Sequence, residues 1–477
     1  MTGITQTLAE FVARTTFDDL PEPAINKTKQ VLFDSIGCAL GSYITDRARI
    51  AVEITEAMGG HPQASIIGYR KTSYPLAAFA NGELISTLDY EPIGPLCPHV
   101  CPSVIATALG MAERVGASGK DLITAIAVGL EAGGRVANSI SEKIIPKAES
   151  PYYEDAPRHS YSQTVFGAAA SAGKLLGEDS LQIANMLGVV GTSTPVAARI
   201  KWGKTSGPLP MLKYGCSFGW MAQLATTTAM LVERGFTGDT TILDGEWGFW
   251  KIWGSPFFHP EAITGDLGQK WHLDGVMFKL YPNDGLAHSF IEGINTLIEQ
   301  NEIKPEDIEA ISVKGDPVLV EPNKAGTDVE SFSDTQFRMS YIAAVAVYLG
   351  RKPDPNWQSP SVFNDPGIRE LMKKVTFALH PRAGEIIAGR LKAGLRPNFH
   401  DNIVEMTAKG RSFSIEVSEP KGHYNNLLTD AELKDKFRNN AVYSMVRSDK
   451  VERAIEMLCG LESVNNVNEL TALLTIS

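Results

Sequence analysis

"DNIVEMTAKGRSFSIEVSEP", residues 401–420, places β-favouring residues on both sides of a Lys409-Gly410 pair. That pattern predicts a β-hairpin turned at Lys409-Gly410. Its reading decides the fold, because most of the chain before it is helical in pattern. Three earlier runs share its texture: "VMFKLYP" (276–282), "IEAISVKG" (308–315) and "KVTFALH" (374–380). Helical stretches at Gly285–Gln300 and Thr335–Leu349 lie between them. Together these segments predict a small α+β domain of about 150 residues, an ordinary domain size.

Outward from it the chain is helical. Thr5–Ala13 opens with capping-type residues and spaces Leu8, Phe11 and Val12 on one face. Ala24–Leu40 continues through Val31, Leu32 and Ile36. Ser103–Val115, Gly119–Ala137, Ser162–Leu176, Ser180–Val190 and Met221–Gly235 follow. Runs such as "VFGAAASAGKLLG" (165–177) carry small residues on successive turns, which suits closely packed helices. From Thr429 the pattern is helical again. A chain of 477 residues is too long for one compact core. The expected fold class is therefore mainly α with an α+β lid. A discontinuous helical domain (1–268 and 423–477) carries the lid (269–422).

The formal charge of −11 argues against a general nucleic-acid or anionic-membrane partner. It leaves open a small anionic substrate held in a local cationic cleft. The first residues have no basic and apolar leader pattern. No run reaches the roughly 18 apolar residues of a membrane span. Five scattered cysteines fit reduced thiols, so a cytoplasmic protein is expected.

The stretch "LDYEPIGPLCPHVCPS" (88–103) concentrates chemistry. Cys97-Pro-His-Val-Cys101 resembles half of a zinc site, but no second cysteine pair exists to complete four ligands. Cys38, Cys216 and Cys459 lie in apolar helical patterns, where a lone cysteine is commonly a small buried hydrophobe. No metal is expected. Asp89 and His99 make a better pair: a carboxylate beside an imidazole fixes its tautomer and raises its basicity. Alone, such a pair could equally be a solvated loop histidine. His159, in "APRHSYSQTVFG", stands before a helix, where backbone N–H groups favour anions. Lys213, in "GPLPMLKYGCSFGWMA", also precedes a helix in a segment poor in charge. His288, in "FKLYPNDGLAHSFIEG", follows a strand-like run and enters another helix. The bland readings are a capping-region histidine, an exposed lysine and a helix-end histidine.

These segments, in this order, resemble the MmgE/PrpD family nearly end to end. The resemblance rests on "VLFDSIGCALGS" (31–42), "AAFANGELISTLDYE" (77–91) with "PHVCPSVIATALGMAE" (98–113), and "HSYSQTVFGAAASAGKLLG" (159–177). It continues in "PMLKYG" (210–215), "LVERGFTG" (231–238), "LDGEWGF" (243–249), "KLYPNDGLAHS" (279–289), "DTQFRMSYIAAVAVYLG" (334–350) and "PKGHYNNLLTDAELKDKFR" (420–438). The resemblance implies a helical domain with a smaller α+β lid, a homodimer, a cleft site and no metal or organic cofactor. It places the family's site residues on Asp89, His99, His159, Lys213 and His288. Three departures stand out: Asp89-Tyr-Glu-Pro replaces an Asp-Phe-Asp-Asp type run, Ile93 stands where many members have threonine, and "KYGCSFGWMA" (213–222) replaces a more polar stretch. All three touch the expected pocket wall, and substrate preference is expected to lie in "YEPIGPL" (90–96).

Members act on small di- or tricarboxylates. The expectation is a hydro-lyase acting on a 2-methylcitrate- or citrate-like acid, with an epimerase, a decarboxylase or a non-catalytic binding protein as rivals. His99 oriented by Asp89 is expected to transfer the proton, with His159 or His288 as its counterpart. Lys213 is expected to hold carboxylates. Lys279 and Arg338 are further carboxylate-binding candidates, unless they are solvated lid charges.

Overall fold

A computed structural model describes residues 3–141, 161–195, 202, 207–393 and 397–476. The helices of the first half are α1 (Ile4–Arg14), α2 (Glu22–Gly41), α3 (Asp46–Met58), α4 (Tyr74–Ser86) and α5 (Cys101–Val115). They continue as α6 (Gly119–Ser139), α7 (Val165–Leu176), α8 (Ser180–Ser193) and α9 (Phe218–Val232). Helix α4 is apolar nearly all round and correspondingly buried, as a central helix must be. It crosses α9 at two glycines: a Cβ on Gly82 would stand 2.8 Å from Gly219 Cα. Only that lack of side chains lets the two backbones meet. Buried Glu83 on α4 reinforces the crossing. It accepts from the Arg47 guanidinium of α3 at 2.8 and 2.5 Å, from Ser217 Oγ at 2.5 Å and from Gly219 N at 3.0 Å.

Two short strands, β1 (Ala64–Ser65) and β2 (Lys71–Thr72), form a small antiparallel ladder. The main sheet has the order β4-β3-β5-β6, with β3 Ile308–Gly315, β4 Val375–Leu379, β5 Asn402–Ala408 and β6 Arg411–Val417. β3 and β4 are parallel, and the other pairs are antiparallel. The expected hairpin is present: Ala408 pairs with Arg411, and Lys409 and Gly410 both take positive φ (53° and 67°). Two left-handed residues are what a two-residue turn of type I′ requires. β5 alternates buried and half-buried residues, and α10 (His288–Asn301) lies against it. Their approach is close at Gly293, where a Cβ would stand 2.7 Å from Val404 Cγ2.

Two expectations need correction. "VMFKLYP" is extended but joins no strand of the sheet. Met277 instead exchanges backbone hydrogen bonds with Ile93 (2.8 and 3.0 Å), and Phe278 N donates to Gly422 O at 2.9 Å. Its β-favouring residues are buried among loops. The helix expected over Thr335–Leu349 is broken at Arg338 (φ −83°, ψ 102°) into Phe332–Phe337 and α11 (Met339–Leu349).

After the sheet the chain returns to the helical body. In α12 (Asp430–Ala441), Phe437 packs over Gly37 of α2, and Lys436 pairs with Asp34 at 2.7 Å. Helix α13 (Ser448–Cys459) follows. Cys38, Cys97, Cys101 and Cys216 are buried and form no disulfide, whereas Cys459 is exposed, against expectation, because it ends its helix at the surface. No described helix is long and apolar enough to cross a membrane.

Candidate active site

Three segments far apart in sequence supply a buried charged cluster: the loop after α4, the turn before α9 and the extended run before α10. Beyond α4 the chain turns sharply at Asp89, whose φ is +51°. Left-handed backbone is uncommon for a residue other than glycine, and such outliers gather at functional sites. Tyr214, beside Lys213, is a second case, with φ of +56°.

Lys213 Nζ donates to Asp89 Oδ1 at 2.9 Å and to Glu91 Oε1 at 2.6 Å. Lys279 Nζ donates to Asp89 Oδ2 at 2.6 Å and to the Asp89 carbonyl at 2.7 Å. His99 Nδ1 lies 2.8 Å from Glu91 Oε1. Asp89 and Glu91 are wholly buried, Lys213 and Lys279 are 2% exposed and His99 is 4% exposed. Two ammonium groups thus face two carboxylates out of water. The expected Asp89–His99 pair is replaced by Glu91–His99: Asp89 is turned to Lys213 and Lys279, and His99 Nδ1 meets Glu91 Oε1. From the sequence, Glu91 has no role beyond its place in the departing run Asp89-Tyr-Glu-Pro. Its signal was the clustering of Asp89, Glu91 and His99 in one proline-stiffened segment.

Burial and the Lys213 charge hold the His99 pKa down to about 4 against the pull of Glu91 and Asp89, so the imidazole is neutral at neutral pH. Tyr161 and Tyr214 flank its ring at 4.8 and 5.0 Å between centroids. Burial works against the charged forms of Asp89 and Glu91 as well. The lysines more than offset it for Asp89, and Lys213 with His99 does so for Glu91, so both carboxyl groups lie below the usual range. Burial likewise opposes the Lys279 ammonium, but Asp89 and Glu91 raise its pKa. Ligand atoms of Asp89, Glu91 and His99 lie within 4.8 Å of one another, close enough for a metal ion. The fit is poor on charge, since ammonium groups already bond to these carboxylates.

His288 opens α10, 4% exposed, with its ring edge-on to Tyr281 at 5.3 Å. Its Nε2 has no hydrogen-bond partner among the described residues. Burial and the nearby Lys279 charge push its pKa down to about 3. His288 therefore shares Lys279 as an electrostatic neighbour with Asp89. Arg338 is used elsewhere: it donates to the Asn323 carbonyl at 2.5 Å and pairs with Asp334 at 3.4 Å. His159 lies outside the described residues.

Two glutamines that the sequence did not mark stitch the segments together. Gln358 Nε2 donates to the carbonyls of Leu88 and Pro282, both at 2.7 Å. Gln336 Nε2 donates to the Thr87 carbonyl at 2.7 Å and to Gln358 Oε1 at 2.9 Å. Tyr90 faces the other way, donating to the Leu280 carbonyl at 2.9 Å, with Lys436 Nζ 3.7 Å from its ring centroid.

The chain matches the MmgE/PrpD N-terminal domain over residues 6–257 and the MmgE/PrpD C-terminal domain over residues 281–460. It is 25% identical to the cis-aconitate decarboxylase-like protein oryM of Aspergillus oryzae, over 99% of this chain and 97% of that protein. It is 24% identical to the cis-aconitate decarboxylase of Homo sapiens, over 99% of this chain and 94% of that protein. To the cis-aconitate decarboxylase of Aspergillus terreus it is 26% identical, over 62% of this chain and 60% of that protein.

Proposed function

This chain belongs to the MmgE/PrpD family of lyases, and from that premise we propose that it dehydrates a 2-methylcitrate- or citrate-like acid. One observation carries the choice of chemistry. His99 is a neutral imidazole whose Nδ1 is engaged by Glu91, which leaves the ring's lone pair on Nε2. Such a nitrogen is a base, suited to taking the proton from the carbon next to a carboxylate. The C–O bond to the leaving hydroxyl then breaks as the alkene forms, and His159 gives that hydroxyl a proton so that it departs as water, since His288, with its pKa pushed down to about 3, carries no imidazolium proton to give near neutral pH.

Lys213 and Lys279 hold the anionic substrate less directly than isolated cations would. Each ammonium has three N–H bonds, and two are already directed at Asp89 or Glu91. At most one from each is left for a carboxylate oxygen. In a dry cleft such a contact still counts for more than in water. Asp89 keeps the two lysines in place.

Decarboxylation is the second reading, favoured by the names of the full-length relatives. There the carbon that loses carbon dioxide must receive a proton, so a protonated imidazole would have to act as the acid. Incubation in D₂O with 2-methylcitrate, citrate, cis-aconitate and iminodisuccinate, followed by NMR, separates the outcomes. Alkene growth from a hydroxy acid supports dehydration. Carbon dioxide release from cis-aconitate supports decarboxylation. Deuterium exchange with inversion of iminodisuccinate means epimerisation, and no reaction with any of the four overturns the lyase reading for this substrate class.

A further inference from the structure

We propose that Glu91 is the positioning residue for His99, setting which ring nitrogen carries the proton and how basic the other one is. The inference rests on the reading of His99 as the proton-transfer residue and deepens it. Glu91 is wholly buried, and its Oε1 stands 2.8 Å from His99 Nδ1 and 2.6 Å from Lys213 Nζ. An ionised carboxylate is acceptor-only. A neutral imidazole that bonds to it through Nδ1 must therefore carry its single proton there, leaving the lone pair on Nε2.

Asp89 does not take this part. Its Oδ1 accepts from Lys213 and its Oδ2 from Lys279, and these bonds hold it facing the lysines. Lys213 completes the arrangement by bonding to the same Glu91 oxygen as His99 does. It anchors the carboxylate against rotation, and its charge offsets part of the pull that Glu91 exerts on the imidazole. The ring is thus oriented by an anion without being driven into the imidazolium form. Glu91 Oε2 is buried and has no hydrogen-bond partner among the described residues. A carboxylate placed for its own stability would have donors on both oxygens, so such an exception calls for a functional reason.

The test is read from the free protein by ¹⁵N NMR of its histidines, with His99 assigned by the loss of its signals in His99→Asn. In the wild type at neutral pH the proton of His99 is expected on Nδ1. In Glu91→Gln the amide oxygen can still accept from Nδ1, but the negative charge is gone. The His99 titration midpoint is then expected to fall by about 1 unit or more, because an adjacent anion favours the imidazolium. Glu91→Asp, which keeps the charge, is expected to restore part of that shift. A wild-type proton on Nε2, or a Glu91→Gln midpoint equal to that of the wild type, overturns the assignment. The wild-type measurement decides even if Glu91→Gln does not fold. Neither readout needs turnover, so failure of the lyase reading would appear separately, as four unreacted acids.

Discussion

Lys279 binds Asp89 twice, through the backbone carbonyl at 2.7 Å and through Oδ2 at 2.6 Å, across 190 positions of sequence. The contact joins the extended run before α10 to the loop after α4. It also caps the carbonyl of a residue in left-handed backbone, whose unusual conformation needs support from outside the loop. Lys279 is thus first a holder of Asp89.

Replacing Lys279 by Met is therefore expected to act on the fold as well as on activity. It leaves Asp89 buried with Lys213 as its remaining ammonium partner. Removing one member of a buried ion pair typically costs about 3–5 kcal/mol. Urea denaturation should show a loss of that order; an unchanged midpoint would refute the role.

Gln358→Leu removes the donor shared by the Leu88 and Pro282 carbonyls. Each buried acceptor left unpaired costs about 1–3 kcal/mol. The substitution should lower the denaturation midpoint. It should also depress turnover of whichever acid reacts, since Leu88 precedes Asp89 and Pro282 lies on the approach to His288. Unaltered stability and rate together would show that the two segments are held by other contacts.

His99→Gln keeps a polar side chain of similar reach but removes the base. Its kcat should fall about 10²–10⁴-fold, the range typical of a general acid–base residue. Steady-state kinetics on the reacting acid checks this, and a loss of less than threefold would remove His99 from the proton transfer.

Acid should destabilise the protein before most carboxylates titrate. His99, His288 and His400 have folded pKa values of about 4, about 3 and about 4, below the ordinary histidine value of 6.5. As pH falls below 6.5 the unfolded chain takes up these three protons while the folded chain does not, so stability is lost in that window. Asp316 opposes them, since burial raises its folded pKa to about 6 and the folded state binds its proton first. Three groups against one leave a net loss of about 2.7 kcal/mol per pH unit between about pH 6 and 4. Below that, the depressed carboxyl groups of Asp89 and Glu91 add a loss of the same sign. Urea midpoints at pH 7, 5.5 and 4.5 check the slope, and a midpoint that rises on acidification contradicts it.

The hairpin at Lys409-Gly410, the helices α1, α2 and α5 to α10 and the return to helix after residue 429 were legible in the sequence. Each depends on turn chemistry or apolar spacing among neighbours a few residues apart, and such patterns survive without knowledge of the partner surface. "VMFKLYP" was misread for the complementary reason. Its composition suits an extended chain, but whether extended chain joins a sheet depends on which edge lies beside it, and here Ile93 and Gly422 do. The chemistry divides in the same way. Asp89, His99, Lys213 and His288 stood out by residue type and placement before helices. Which carboxylate meets His99, and which lysine meets Asp89, was decided only when three segments 88–99, 213 and 279 were brought together out of water. Buried charges pair by distance, and distance between remote segments is a property of the packed fold.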